Sequence, residues 1–151
     1  MFTKILYPTD FSDVAMKALK YILGLKGAGV QQAVLLRVIN EKRIECIAQG
    51  VVWSGKSVSE FQEEIYQDFE EKALKEMEPV KSELEKAGID VKVRVERGIP
   101  QSKILEVEQE ENPNALILGS HGRSNIKEIF LGSVSEYVIR HCRGPVIVIK
   151  R

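Results

Sequence analysis

The chain has 151 residues, 44% apolar and 29% charged, with 22 basic and 22 acidic side chains. That length suits one domain with a real core, and that composition excludes a disordered chain. A formal charge of zero argues against nonspecific nucleic-acid binding as the main task, because neutralising phosphates needs a basic excess.

In chain order, Lys4-Ile5-Leu6-Tyr7 is a short apolar run stopped by Pro8, which predicts a strand buried on both faces. Pro8-Thr9-Asp10-Phe11-Ser12 is turn chemistry, with Ser12 placed to cap a helix and Asp13 in its first turn. Val14, Ala15, Ala18, Leu19, Ile22 and Leu23 recur at helical spacing, and Gly27 or Gly29 ends that helix. Ala33–Ile39 is the second strand. From Asn40 to about Ser57 runs a connection with no clean period, expected to lack regular structure and so to be functional or mobile. Its Val51, Val52 and Trp53 suit either a partner or lid surface or a fold back onto the core.

Ser57 to Ala87 reads as a long helix, with Ser57-x-x-Glu60 and Ser59-x-x-Gln62 both fitting a capping box. Phe61, Ile65, Phe69, Leu74, Met77, Val80 and Leu84 form its apolar stripe, and Pro79 is expected to kink it or split it in two. Ile89–Val95 alternates apolar and polar residues, as a half-exposed strand at a sheet edge does. Gly98-Ile99-Pro100 turns the chain into a helix over Ser102–Glu110, closed by Asn112-Pro113-Asn114. Ala115–Leu118 is a buried strand that breaks at Gly119. A polar, basic loop with Gly122 and Arg123 leads to Gly132, which opens a helix ending near Cys142. Val146–Ile149 is the last strand. Such alternation means a single-domain α/β fold over 1–151, a parallel sheet with helices on both faces.

Ligands of such sheets bind beyond the carboxyl ends of the strands, where strand order reverses. The turns there include Pro8–Ser12, the end of the second strand at Val38, and Gly119–Gly132. A helix start at Gly132-Ser133-Val134-Ser135 offers free N–H groups and a positive dipole end to phosphate. Gly132 removes a Cβ from the path, Ser133 and Ser135 add hydroxyls, Gly119 and Gly122 turn N–H groups inward, and Arg123 adds charge. Turn glycines with Ser133 as an ordinary cap are the plainer alternative. Asp10 suits ribose, adenine or a magnesium ion through water, or is simply a turn carboxylate. His121 is either a phosphate contact or an exposed loop residue. Cys46 and Cys142 are far apart and read as reduced thiols in a cytoplasmic protein, while the chain start shows no signal-peptide core and no run reaches membrane-spanning length. With only His121 and His141 as imidazoles, no zinc site is expected.

The spacing Gly119-x2-Gly122-x9-Gly132-Ser133 resembles the nucleotide motif of the ATP-binding branch of the universal stress protein family. The start K-I-L-Y-P-T-D-F-S, the segment L-L-R-V-I and the ending G-P-V-I-V-I-K resemble that family's first, second and last strands, so the likeness spans nearly the whole chain. It implies a five-stranded open sheet of order 3-2-1-4-5, similar to the adenine nucleotide alpha hydrolases, with a connection of variable length at about 40–57. It places Pro8, Thr9 and Asp10 at the adenosine end and the Val38 backbone against adenine. Gly119, Gly122, Arg123, Gly132, Ser133, Val134 and Ser135 fall at ribose and phosphates. Arg37 departs from the histidine that many relatives carry there. The likeness further implies ATP or AMP as ligand, magnesium with ATP, an unidentified protein partner, and a homodimer formed by pairing Val146–Ile149 across a two-fold axis. With no P-loop lysine and no catalytic triad or carboxylate pair in the sequence, the chain reads as a nucleotide-holding stress or signalling module, with slow hydrolysis at most. A true ATPase or nucleotidyl transferase, and a dimeric interaction module without nucleotide, are the alternatives.

Overall fold

In the computed structural model, strands β1 (Lys4–Pro8), β2 (Gln32–Asn40), β3 (Asp90–Gly98), β4 (Ala115–Gly119) and β5 (Val146–Ile149) alternate with helices. These are α1 (Asp13–Leu25), α2 (Glu41–Gln49), α3 (Val58–Lys86), α4 (Pro100–Glu111) and α5 (Ser133–His141). The structure describes residues 1–11, 13–50, 55, 57–120 and 132–150, with 13–15 described by backbone alone. Ser12, Val51, Val52, Trp53, His121, Gly122 and Arg123 lie outside the described residues.

The strands form one parallel sheet in the order β3-β2-β1-β4-β5. The continuous apolar run of β1 has its expected cause: Ile5, Leu6 and Tyr7 are all fully buried. Ile5 and Tyr7 face α1 and α3 through Ala18, Ile22, Met77, Val80 and Leu84. Leu6 faces α4 and α5 through Ile104, Val107 and Val138. Each such side chain contributes about 1.5–3 kcal/mol by leaving water. β3 lies at one edge, as its alternation predicts, and β5 lies at the other.

Three expectations need correcting. The connection after β2 is not structureless, because α2 occupies Glu41–Gln49. Asn40 caps it by accepting from the Lys42 N–H at 3.1 Å, and Ile44 and Ala48 pack on Ile39 and Ile65. Two buried residues in so short a helix make no readable period. Next, Pro79 does not split α3, which runs unbroken from Val58 to Lys86 under a Ser57–Glu60 capping box. Ala73, Met77, Val80 and Leu84, buried along one side, hold it against the sheet across the proline. Last, Leu74 is 52% exposed and leaves the predicted stripe, because Ala73 takes the inward position. α4 begins at Pro100, two residues ahead of the expected start, with proline in its first turn where no N–H is needed.

At the amino end of the sheet one carboxylate ties several elements together. Glu111, at the end of α4, meets Lys4 at 2.9 Å, Lys92 at 2.6 Å and Arg94 at 2.9 Å. Burial pushes its carboxyl up, but the hydrogen bonds from Lys92, Lys4 and Arg94 outweigh that and lower it to about 2.

Candidate functional site

The strand order reverses between β1 and β4. Leu6 pairs with Leu116, so Thr9 and Gly119 come three residues further along neighbouring strands. One side of this switch point is the turn after β1. The Thr9 N–H donates to Leu36 O at 2.9 Å, and the Thr9 side-chain oxygen accepts from the Phe11 N–H at 3.1 Å. Phe11 has φ 59, the left-handed region that a phenylalanine seldom enters. Its ring, 5.6 Å below the Arg37 guanidinium, and its packing on the core hold it there. This strained turn sets Asp10 at the lip of the sheet. Beneath it the Tyr7 hydroxyl is buried and makes no well-formed hydrogen bond among the described residues. Burial, opposed by neighbouring Thr9 and aided by the Asp10 charge, pushes this phenol up to about 12, so it stays protonated at neutral pH.

The other side is the corner from β4 into α5. Ser120 N–H donates to Ile149 O and Gly132 N–H donates to Ser120 O, both at 2.9 Å. These bonds lock the start of α5 onto the ends of β4 and β5. Gly132 is the N-cap and has no side chain to bond the first-turn N–H groups. Its φ of −57 and ψ of 154 suit any residue, so the backbone itself does not require glycine here. Ser133 is exposed beside it. Ser135 behaves differently: it is buried, and its hydroxyl donates to Gly119 O at 2.9 Å, bracing α5 against β4. Its hydroxyl proton is therefore already spent. Val134 packs partly into the core between sheet, α4 and α5.

These two halves flank the switch point of a sheet whose order matches the family that the glycine spacing resembles. The model of the universal stress protein family matches residues 1–150. The chain belongs to that family. Universal stress protein MJ0577 of Methanocaldococcus jannaschii is 42% identical to it, over 100% of this chain and 96% of that protein. The solved structure of MJ0577 superposes with a TM-score of 0.86 at 41% identity, covering 100% of this chain and 97% of that one. A universal stress protein family member of Arabidopsis thaliana, solved with AMP bound, has a TM-score of 0.68 at 20% identity over 99% of this chain and 92% of that one.

In this universal stress protein the described part of the site opens into a cleft of about 380 Å³ over the end of β2. Asp10 and Val38, both expected at the site, line it. So do Arg37, Arg43, Phe69 and Lys72, none of them among the expected site residues. They come from β2, α2 and α3, and no spacing rule joins residues so far apart. Of the expected residues, Pro8, Thr9, Asp10, Val38, Gly119, Gly132, Ser133, Val134 and Ser135 all lie at the carboxyl edge of the sheet. Gly122 and Arg123 fall outside the described residues. Among those residues, no three His, Cys, Asp or Glu side chains converge as a metal site, and no helix is long and apolar enough to cross a membrane.

Proposed function

We propose that this family member is an adenine-nucleotide-binding module whose occupancy by ATP or AMP governs a stress-response or signalling partner. Adenine and ribose sit over Pro8, Thr9, Asp10 and the Val38 backbone. The phosphates sit at Gly119, Gly122, Arg123 and the first turn of α5, with the Ser133 hydroxyl and the Val134 and Ser135 N–H groups as donors. Ser135 also keeps that turn in place through Gly119. The observation that carries the reading is the start of α5: a helix opening on glycine, without a capping side chain, beside the switch point. Free N–H groups and the dipole there favour a bound anion. The Arabidopsis protein with AMP bound shares this fold. Magnesium arrives with ATP as a counter-ion of the phosphates, which Asp10 meets through water, since this ion keeps most of its hydration shell.

The same reading makes the protein a homodimer. Among the described residues β5 has β4 on one side and no strand on the other, an edge open to pairing. A second copy, related by a two-fold axis, pairs with it antiparallel through Val146–Ile149.

Mass spectrometry of small molecules released from the purified, denatured protein tests the ligand. AMP or ATP, near one per chain, is expected. Protein that releases none, and gives neither heat nor thermal stabilisation with AMP or with ATP and magnesium, is a dimeric interaction module instead. Turnover of ATP at about 1 s⁻¹ or faster, lost in Asp10→Ala, would make it an enzyme.

A further inference from the structure

Phe11 is held in a conformation that a bulky side chain resists, and such a conformation persists only where its surroundings impose it. Its φ of 59 lies in the left-handed region, where the Cβ of an L-residue crowds the following carbonyl. Outliers of this kind gather at ligand clamps and switches. The residue just before it is Asp10, which lines the cleft. The strained backbone and the cleft carboxylate therefore share one turn.

Arg37 of β2 grips this turn on both sides of Asp10. One guanidinium N–H donates to Thr9 O at 3.4 Å. The same guanidinium lies over the Phe11 ring, 5.6 Å from its centre. A planar cation suits both tasks, because its donors leave at its edge while its face stays against the ring. Lysine, a point charge on a flexible stem, offers no such face. Within the turn, the Thr9 side-chain oxygen accepts from the Phe11 N–H at 3.1 Å. From beneath, the buried Tyr7 hydroxyl makes no well-formed hydrogen bond among the described residues, so it adds no bond to hold the turn. Arg37 is half-buried and belongs to a strand paired on both sides, which makes it a firm anchor. Its groups are engaged within the protein and are not counted toward the ligand.

We propose that Arg37 is a positioning residue of the nucleotide site: bonded to Thr9 O and stacked on Phe11, it keeps the β1 turn in its left-handed form and so fixes Asp10 for adenosine. It acts through the turn and does not touch the ligand. The role in binding rests on the nucleotide reading above; the brace rests on Arg37, Thr9 and Phe11 alone.

A double-mutant cycle between Arg37 and Phe11 tests this, because asparagine enters the left-handed region far more readily than phenylalanine and needs less bracing there. AMP and ATP are titrated calorimetrically into the wild type, Arg37→Gln, Arg37→Lys, Phe11→Asn and the Arg37→Gln, Phe11→Asn double variant, with a thermal melt to check that each is folded. Arg37→Gln is expected to weaken binding at least fivefold, and Arg37→Lys, which keeps the charge without the flat face, to bind no better. Phe11→Asn is expected to stay within threefold of the wild type, and adding Arg37→Gln to it to cost less than twofold more. In the ligand-free protein the Phe11 N–H is expected to undergo hydrogen exchange at least fivefold faster in Arg37→Gln than in the wild type. Wild-type affinity in Arg37→Gln or in Arg37→Lys overturns the proposal. So does an equal loss from Arg37→Gln in both backgrounds, which would mean that Arg37 acts on the ligand directly. If Phe11→Asn does not fold, the exchange measurement decides, and a Phe11 N–H equally protected in Arg37→Gln overturns the proposal. If the wild type binds neither AMP nor ATP, the nucleotide reading falls and the role in binding with it, while exchange still decides the brace.

Discussion

Glu111 shows how much a single side chain can hold. Its side chain is 6% exposed and serves Lys4, Lys92 and Arg94 at once, joining β1, β3 and α4. A carboxylate whose folded value is lowered contributes stability that is fully present above its unfolded value and disappears as pH falls through the folded one. For Glu111 that window runs from 4.5 down to about 2. Glu111→Gln is expected to cost about 2–4 kcal/mol at neutral pH, because it leaves three cations short of their anion. Urea unfolding of both proteins across that window should show the difference shrinking toward zero. A difference that does not change with pH would mean that packing, not charge, is what the substitution removes. At this scale the sequence was only partly legible. Gly119 and Gly132 stand out because a motif spaces them along one stretch of chain, and both lie at the carboxyl edge of the sheet. Glu111 and Arg43 do not stand out, because their partners come from other elements. Ser135 carried the right residue type but, buried against Gly119 O, turned out to spend its hydroxyl on the scaffold.

At the scale of elements, α3 shows where a local rule yields to packing. Proline inside a helix loses one hydrogen bond and crowds the preceding turn, which is why a kink or a break is expected at Pro79. The helix continues because Met77 and Val80, on either side of Pro79, are both buried on the sheet. Pro79 itself is exposed. Pro79→Ala should therefore restore the missing bond without disturbing the core and stabilise the protein by about 1–3 kcal/mol. Chemical denaturation measures this; an unchanged or lowered midpoint would mean that the surrounding helix has relaxed around proline. α2 failed to announce itself for the opposite reason. Its inward face is only Ile44 and Ala48, too few for a period, and it forms because Ile39 and Ile65 wait to receive them. The strands were easier to read, since β1 and β4 each bury both faces and so run apolar without interruption.

For the molecule as a whole, alternation of strands and helices is enough to predict a parallel, doubly covered sheet. The order of its strands is a long-range property, and only the resemblance to a family supplied it. That order leaves β5 at an edge of the sheet, with no strand beyond it among the described residues. On the homodimer reading, Val148→Lys places a charge in the pairing strand and should shift the protein from dimer to monomer in analytical ultracentrifugation, with its helical circular dichroism kept. A wild type that sediments as a monomer would remove the dimer from the account.

The order also brings the β1 turn and the start of α5 to one place, and the central claim is that an adenine nucleotide is held there. Gly132→Val tests it most directly. The backbone at Gly132, with φ −57 and ψ 154, accepts a valine, so the fold should survive. The added side chain should instead block the approach of phosphate to α5. Calorimetry with AMP and with ATP is expected to show binding by the wild type and at least a tenfold loss in the variant at an unchanged melting temperature. A folded Gly132→Val protein that binds as tightly as the wild type would contradict the account.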